Sequence, residues 1–408
     1  MPLAQGVFKQ TRIARQSAKG TLAAAGGGFI VRREQSTFEL AKETYTTESE
    51  ITSTQQLLSN AHGVRLVNGK LSGILSPGTY SDAIATVMRR DFATVVSITG
   101  ASITITGAGP HTITRAAGSF LTDNIKVGMV VRLTAGGFNA ANSNKNLLVS
   151  AVAALTLTVS VVNAAVVGAL VAEGPVTAAT LSVPGKTTFI PATSHTNIYF
   201  TVEEFYPDVP FSERNLDVKF LMANLKLPGT GNAKVDLSGN GLNQTNNTTA
   251  YFTAPAAETT TGSLVAASGL LLIGGVSQAI VTDLSIDIDG KGQPADGVVG
   301  TDIRPDIFTG KCMVKGSFTA YFDSATIPTL FLNQVSTTLL CVVTAGSAAS
   351  SDFMGFAMTD VRINTSTPDD TETGLKRTYS FVAVLNGAGG VGLAAERTSL
   401  QLQDSQAL

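Results

Sequence analysis

Short runs in which apolar and polar residues alternate fill most of this chain, and the three-to-four-residue spacing of a helix is rare. Leu155-Thr-Leu-Thr-Val-Ser-Val161 shows the two-residue period of a half-buried strand. The same reading predicts strands at Val95–Thr99, Ser102–Thr106, Met129–Thr134, Leu147–Ala151 and Leu155–Val162. Beyond position 175 it predicts Thr196–Glu203, Asp217–Leu227, Asn232–Leu237, Leu264–Ala267, Leu270–Ile273, Ala279–Ile288, Lys311–Phe322, Thr338–Val343, Asp352–Met358, Arg377–Leu385 and Glu396–Gln403. Pro228-Gly-Thr-Gly231 is a hairpin signal. Nearer the start, two charged, Thr-rich runs from Phe29 lead to Asn60, and a Gly-punctuated strand pair follows (Val64–Leu71, Leu71–Leu75). Two short helices are expected. Thr79–Asp91 places Ile84, Val87 and Met88 on one face, with Thr79 or Ser81 as cap and Arg89 and Arg90 in the last turn. Asp323–Asn333 has Pro328 near its first turn. The fold class is mainly β, a sandwich or barrel with one or two short helices.

Composition divides the chain further. Residues 1–28 carry Lys9, Arg12, Arg15 and Lys19, no acid, and a Gly26-Gly-Gly28 hinge. They read as an extended arm that orders on docking. From Ala93 to about Gly174 the chain turns Val/Thr/Ala-rich and nearly uncharged, with Asp123–Gly128 as a turn between strands. Five short strands there suit a small barrel or sandwich inserted into a host domain of 29–92 and 175–408.

Charge then narrows the class. Only 14% of the 408 residues are charged, the net charge is −2, and Trp is absent. A near-neutral, charge-poor surface favours association. The opening MPLAQGVFKQTRIARQ has no apolar core of a secretory signal. Leu147–Ala172 and Ser263–Val281 lack charge, but alternation in the first and Gly269, Gly274 and Gly275 in the second argue for strands over membrane helices. Cys312 and Cys341 offer no disulfide framework or metal spacing and are expected to be buried thiols of a reducing cytoplasm. The sequons at Asn243, Asn246 and Asn364 are read as chance matches in a Thr/Asn-rich chain.

Sites of chemistry were weighed against this frame. Gly387-Ala-Gly-Gly-Val-Gly392 fits a dinucleotide fingerprint but lacks the helix, second strand and acid that must follow. It is expected to be a flexible loop. Ser285-x-Asp287-x-Asp289-Gly290 partly mimics a calcium loop, yet Leu284, Ile286 and Ile288 alternate as a strand entering a turn. His62, His111 and His195 lie far apart. No enzyme, cofactor or metal is expected.

Several blocks together resemble the tail tube proteins of long-tailed bacteriophages. They are E-I-T-S-T-Q-Q (Glu50–Gln56), G-K-L-S-G (Gly69–Gly73) and Y-S-D-A-I-A-T-V-M-R-R (Tyr80–Arg90), then Y-F-T-V-E-E-F-Y-P-D-V (Tyr199–Val209), V-V-G-T-D-I-R-P-D-I-F-T-G (Val298–Gly310), V-K-G-S-F-T-A-Y-F-D (Val314–Asp323) and T-S-L-Q-L-Q-D-S (Thr398–Ser405). The likeness spans nearly the whole chain and is weakest over 93–174. It implies a β-sandwich that forms sixfold rings stacked into a hollow, non-contractile tube, with inner strands of all six subunits joined in one barrel. It also implies a virion protein assembled in the bacterial cytoplasm and no membrane. The implied partners are further copies of itself, a tape measure protein, tail terminator and tip proteins, and double-stranded DNA in the lumen. The insertion would decorate the exterior. Tubes of contractile systems share the fold, and a head decoration protein, a tail-end protein or a surface adhesin are the alternatives. A channel that passes DNA must not be basic. Asp283, Asp287 and Asp289 are therefore lumen candidates, and the long loop Asn240–Thr261 a contact candidate. Lys9, Arg12, Arg15, Lys19, Arg32 and Arg33 are candidates for the inter-subunit arm.

Overall fold

The computed structural model describes residues 3–49, 51, 53–54, 56–370, 372 and 374–407. Of the block Glu50–Gln56, positions 50, 52 and 55 lie outside the described residues. The chain opens with β1 (Gln10–Arg15), β2 (Phe29–Ile30), β3 (Gln35–Thr46), β4 (Asn60–Ile74) and helix α1 (Ser81–Met88). Then come β5 (Ile98–Ile105), β6 (His111–Arg115), β7 (Val130–Ala135), β8 (Leu147–Val152), β9 (Thr156–Val161), the single turn α2 (Ala164–Val167) and β10 (Glu173–Ser182). The central run holds β11 (Lys186–Phe189), β12 (Phe200–Tyr206), β13 (Phe211–Pro228), β14 (Lys234–Gly241), β15 (Asn243–Asn247), β16 (Val265–Ile273), β17 (Val276–Ser277) and β18 (Val281–Asp289). Last are β19 (Gly292–Pro294), β20 (Ile307–Thr309), β21 (Met313–Tyr321), α3 (Thr326–Leu332), β22 (Thr337–Thr344), β23 (Phe353–Pro368), β24 (Lys376–Ala383) and β25 (Gln401–Asp404). The protein is mainly β, as its alternation predicts.

Antiparallel pairing joins β3, β4, β14, the second half of β13, β18, β21, β24 and the second half of β23 into one eight-stranded sheet. Its inner face is apolar: Phe38, Leu71, Leu237, Leu225, Ile286, Val314, Phe318 and Phe381 are buried in the main core. The two longest strands also serve other layers. The first half of β13 pairs with β12 and β15, and the first half of β23 with β22 and β25. α1 packs on β13 with seven of its eight residues buried. Neither Thr79 nor Ser81 caps α1. Their hydroxyls bond elsewhere: Ser81 donates to Asp404, and Thr79 pairs with Ser76. Arg89 lies past the helix in a left-handed conformation, donating to the Gly290 and Gly310 carbonyls.

The expected strand pair at 64–75 is one continuous strand. Its glycines read as breaks, but they give room for side chains. A Cβ at Gly69 would fall 2.4 Å from the Phe38 ring, and one at Gly73 2.0 Å from the Tyr80 hydroxyl. Glycine within a strand often marks such close approach.

Residues 98–182 form a closed six-stranded barrel, ordered β10-β5-β6-β9-β8-β7 and closed by β7 on β10. It has its own core of Ile103, Ile113, Phe120, Leu133, Leu147, Leu157 and Leu181. The barrel's last strand ends beyond position 174. Flanking segments meet at Ala93 and Thr187, which exchange backbone hydrogen bonds of 2.8 and 2.9 Å. The stretch with no charge at 147–172 is thus β8, β9 and α2, and no described helix is long and apolar enough to cross a membrane.

Candidate assembly and channel surface

The outer face of the eight-stranded sheet is mostly polar, because polar outward residues alternate with inward apolar ones; Ile74, Met222, Met313 and Val382 also lie on it. One row across it runs Ser72, Asp236, Asn224, Asp287, Lys315, Val382 and Arg362. A neighbouring row runs Lys234, Lys226, Ser285, Ser317, Ser380 and Thr365. Asp283 opposes Thr319, and Asp289 sits between Met222 and Met313. The three aspartates singled out by sequence therefore share this face, opposite Leu284, Ile286 and Ile288.

They do not make it acidic. Lys226 bonds Asp236 at 3.0 Å, Lys291 bonds Asp289 at 2.7 Å, and Lys315 lies opposite Asp287, whose carboxylate accepts from Asn224. Burial would raise the Asp289 carboxyl, but the Lys291 ammonium and backbone N–H, with Lys315 beyond, outweigh it and hold the group below its ordinary range. Asp289 is thus a charge-paired turn residue, with Lys291 N 2.8 Å from its Oδ1. Among the described residues no group of His, Cys, Asp and Glu is arranged to hold a metal.

Two edges of this sheet have no strand beyond them among the described residues. β3 registers only with β4. At the other end, β23 from Arg362 to Pro368 registers only with β24. Next to that second edge lies α3, with Leu332 and Val335 exposed and Phe331 half-buried. Unpaired edges invite pairing with another chain. The far half of the β3–β4 hairpin projects from the core, with all of Glu43–Thr46 and Asn60–His62 exposed.

The basic N-terminal segment is not a free arm here. β1 pairs along its full length with β12, and each cation finds an acid or a carbonyl within the same chain. Lys9 contacts Glu204 at 2.7 Å; Arg12, almost fully buried, reaches Glu203 at 3.4 Å and the Phe252 carbonyl at 3.0 Å. Arg15 bridges Asp82 and Asp91, and Lys19 donates to the Pro305 carbonyl at 2.6 Å with its Nζ 3.6 Å from the Asp306 carboxylate. Arg32 holds Ser76 and the Thr261 carbonyl, and Arg33 donates to the Lys9 carbonyl. Glu203 is fully buried and also accepts from Ser212 and from the backbone of Tyr251 and Phe252. That pins the loop at 250–256, within the stretch that sequence offered for inter-ring contacts. Nothing in the segment's own composition shows these acids, which lie some 190 residues away for Arg12 and Lys9. Its exposed large apolar residues are Leu3, Val7, Phe8 and Leu22.

Comparison with protein families gives one finding that fits this architecture: the model described as Phage tail tube protein matches residues 9–383. The chain belongs to the phage tail tube protein family. Among curated proteins none matches it. As a tail tube protein it is a structural component of a virion, and membership implies assembly with copies of itself into a tube. The match runs through the barrel without excluding it, and it includes β1 with Lys9, Arg12 and Arg15.

Proposed function

We propose that this protein is the major subunit of a long, non-contractile tail tube, in which six copies close a ring by joining β3 of one copy to β23 of the next. The observation that carries this reading is the pair of open edges at opposite ends of one sheet. A contact between two different edges is heterologous, and it closes into a ring when the rotation allows. Closure then removes both edges, which an isolated subunit leaves exposed. Rings stack through surfaces such as the projecting β3–β4 hairpin and the exposed Leu3, Val7 and Phe8. Stacked rings form a bore that holds a tape measure protein during assembly and passes double-stranded DNA from capsid to host. Assembly takes place in the bacterial cytoplasm, with terminator and tip proteins at the two ends.

In this reading the polar face lines the bore. Lys226, Lys234 and Lys291 are paired with Asp236, Glu34 and Asp289, and Lys315 lies opposite Asp287, so phosphates meet no run of free positive charge and DNA is not retained. An Asp287→Lys/Asp289→Lys tail is expected to assemble and to eject DNA more slowly. Ejection at wild-type speed from normal tails counts against the lining. The Lys9–Arg33 cations, engaged within the chain, serve to seat β1. Removal of residues 3–8, which takes away no strand, should leave rings that fail to stack. Negative-stain microscopy of the purified full-length protein tests the whole reading: hollow stacked rings are expected, and a solution of monomers at every concentration and ionic strength contradicts it.

A further inference from the structure

The family resemblance implies that the inserted barrel is an external ornament, yet its seat on the main domain is built like a core. Val127, Val130, Leu148 and Val162 of the barrel interlock with Leu272, Leu340, Val342, Phe353 and Ala357 of the main domain. Gly128, at φ +87°, passes so close to β23 that a Cβ there would lie 2.1 Å from the Ala357 Cβ. Polar contacts frame this apolar patch. The buried Gln403 amide accepts from Val130 N at 2.7 Å and donates to Val130 O at 3.1 Å and to Pro184 O at 2.8 Å, so a side chain of β25 pairs with barrel backbone as a strand would.

Lys126 is fully buried and donates to the Gly390 and Leu393 carbonyls, both at 2.6 Å, while Val127 N donates to Ala394 O. The glycine run at 387–392 is therefore wrapped around a barrel lysine. It is an anchored loop, and the absence of side chains lets its carbonyls turn inward. On the opposite flank Asn146 N donates to Ala349 O and Arg132 to Ser350 O.

β23 connects this seat to the open edge. Its first half, Phe353–Ala357, lies under the barrel between β22 and β25; its second half, Val361–Pro368, is the unpaired edge of the polar sheet. We propose that the barrel is a brace: it fixes the direction in which β23 leaves the core and so holds the open edge in the geometry that a second copy of this chain must meet. Close-packed contacts of this kind have few alternative arrangements, and displacement at one end of a stiff strand is passed to the other. The consequence for assembly rests on the ring reading above; the consequence for β23 itself does not.

Gly128→Ala tests it, since the added methyl must push the barrel away from Ala357. Circular dichroism should report both domains folded. Hydrogen exchange of the β23 amides from 361 to 366 should become about tenfold faster or more, and tubes should be lost. Adding Ala357→Gly removes the opposing methyl and should recover most of the protection and the tubes. Should Gly128→Ala fail to fold, Gln403→Ala removes the amide bridge without adding an atom and is read in the same way. Unchanged exchange through 361–366 in both Gly128→Ala and Gln403→Ala overturns the brace. Absence of tubes in the unaltered protein would instead contradict the ring reading and leave the exchange result to decide the brace.

Discussion

The six-stranded barrel and the eight-stranded sheet meet the same requirement in opposite ways. In the barrel, β7 pairs with β10 and every strand has two neighbours, so backbone donors and acceptors are satisfied within the domain. In the sheet, β3 and the second half of β23 each lack a second neighbour, and the outward face is mostly polar. Burial follows this difference. The barrel encloses a core of its own and packs Val130, Leu148 and Val162 against the main domain, while the sheet covers one face only, against α1 and the layers formed by β12, β22 and β25. The contrast separates a part in which every strand has two neighbours from one that keeps two edges. A domain that abolishes its edges has no need of partners; one that keeps two matching edges is built to lose them in assembly.

The largest effect is expected in the part that stands alone. Phe120 is fully buried in the barrel with the Arg115 guanidinium 4.7 Å from its ring. Phe120→Ala should cost about 3–5 kcal/mol, seen by hydrogen exchange first at β5 and β6 and only afterwards at β13 and β14. Simultaneous loss in both regions would mean that the barrel has no core of its own. Next comes the sheet's internal clamp. Glu203→Ala leaves Arg12 buried beside no carboxylate, and breaking a buried pair costs about 3 kcal/mol or more. Denaturant melts should show that loss, with exchange of the β1 amides rising before any in the barrel.

These two predictions also mark what sequence could and could not disclose. Alternation over Thr156–Val161 placed a strand correctly because each outward Thr opposes an inward Leu or Val. β10 escaped the same reading: Gly174, Pro175 and a left-handed Ala178 break its period, and its register against β5 shifts three times. β6 lies outside the predicted strands because Ile113 is the one apolar residue among its five, so no alternation shows. On the outer face of the sheet, Asp283, Asp287 and Asp289 come together, but Lys315 opposite Asp287 is supplied by β21 and the Lys226–Asp236 pair by β13 and β14, so local composition makes the face look more acidic than it is. Lys126, Gln403 and Glu203 gave no signal, since a buried polar residue is defined by partners far away in the chain.

A smaller effect separates the seat of the C-terminal strand from the rest. Asp404 is buried, and burial raises its carboxyl above the ordinary range against the pull of the Ser81 hydroxyl and the Gln406 and Gly78 N–H groups. The folded protein therefore holds this proton more tightly than the unfolded chain. That contribution is complete below the unfolded value of about 4 and is lost as pH rises through the raised folded value. Asp404→Asn cannot titrate. Its deficit, about 1–2 kcal/mol, should be larger in mild acid than at alkaline pH, as thermal melts across that range would register. A deficit that grows with rising pH would reverse the sign of the assignment. The smallest effect belongs to the open face: Lys226 and Asp236 are about half exposed, and Lys226→Ala should shift stability by no more than about 0.5 kcal/mol and leave assembly intact.

The claim that matters most is that β3 and β23 pair across copies. Cryo-electron microscopy of the assembled protein tests it directly, because backbone density shows which strands adjoin. The account predicts a ring in which β3 of each subunit hydrogen-bonds to β23 of its neighbour and the polar face surrounds the bore. Rings or tubes in which both edges stay unpaired, or in which the polar face points outward, would contradict it.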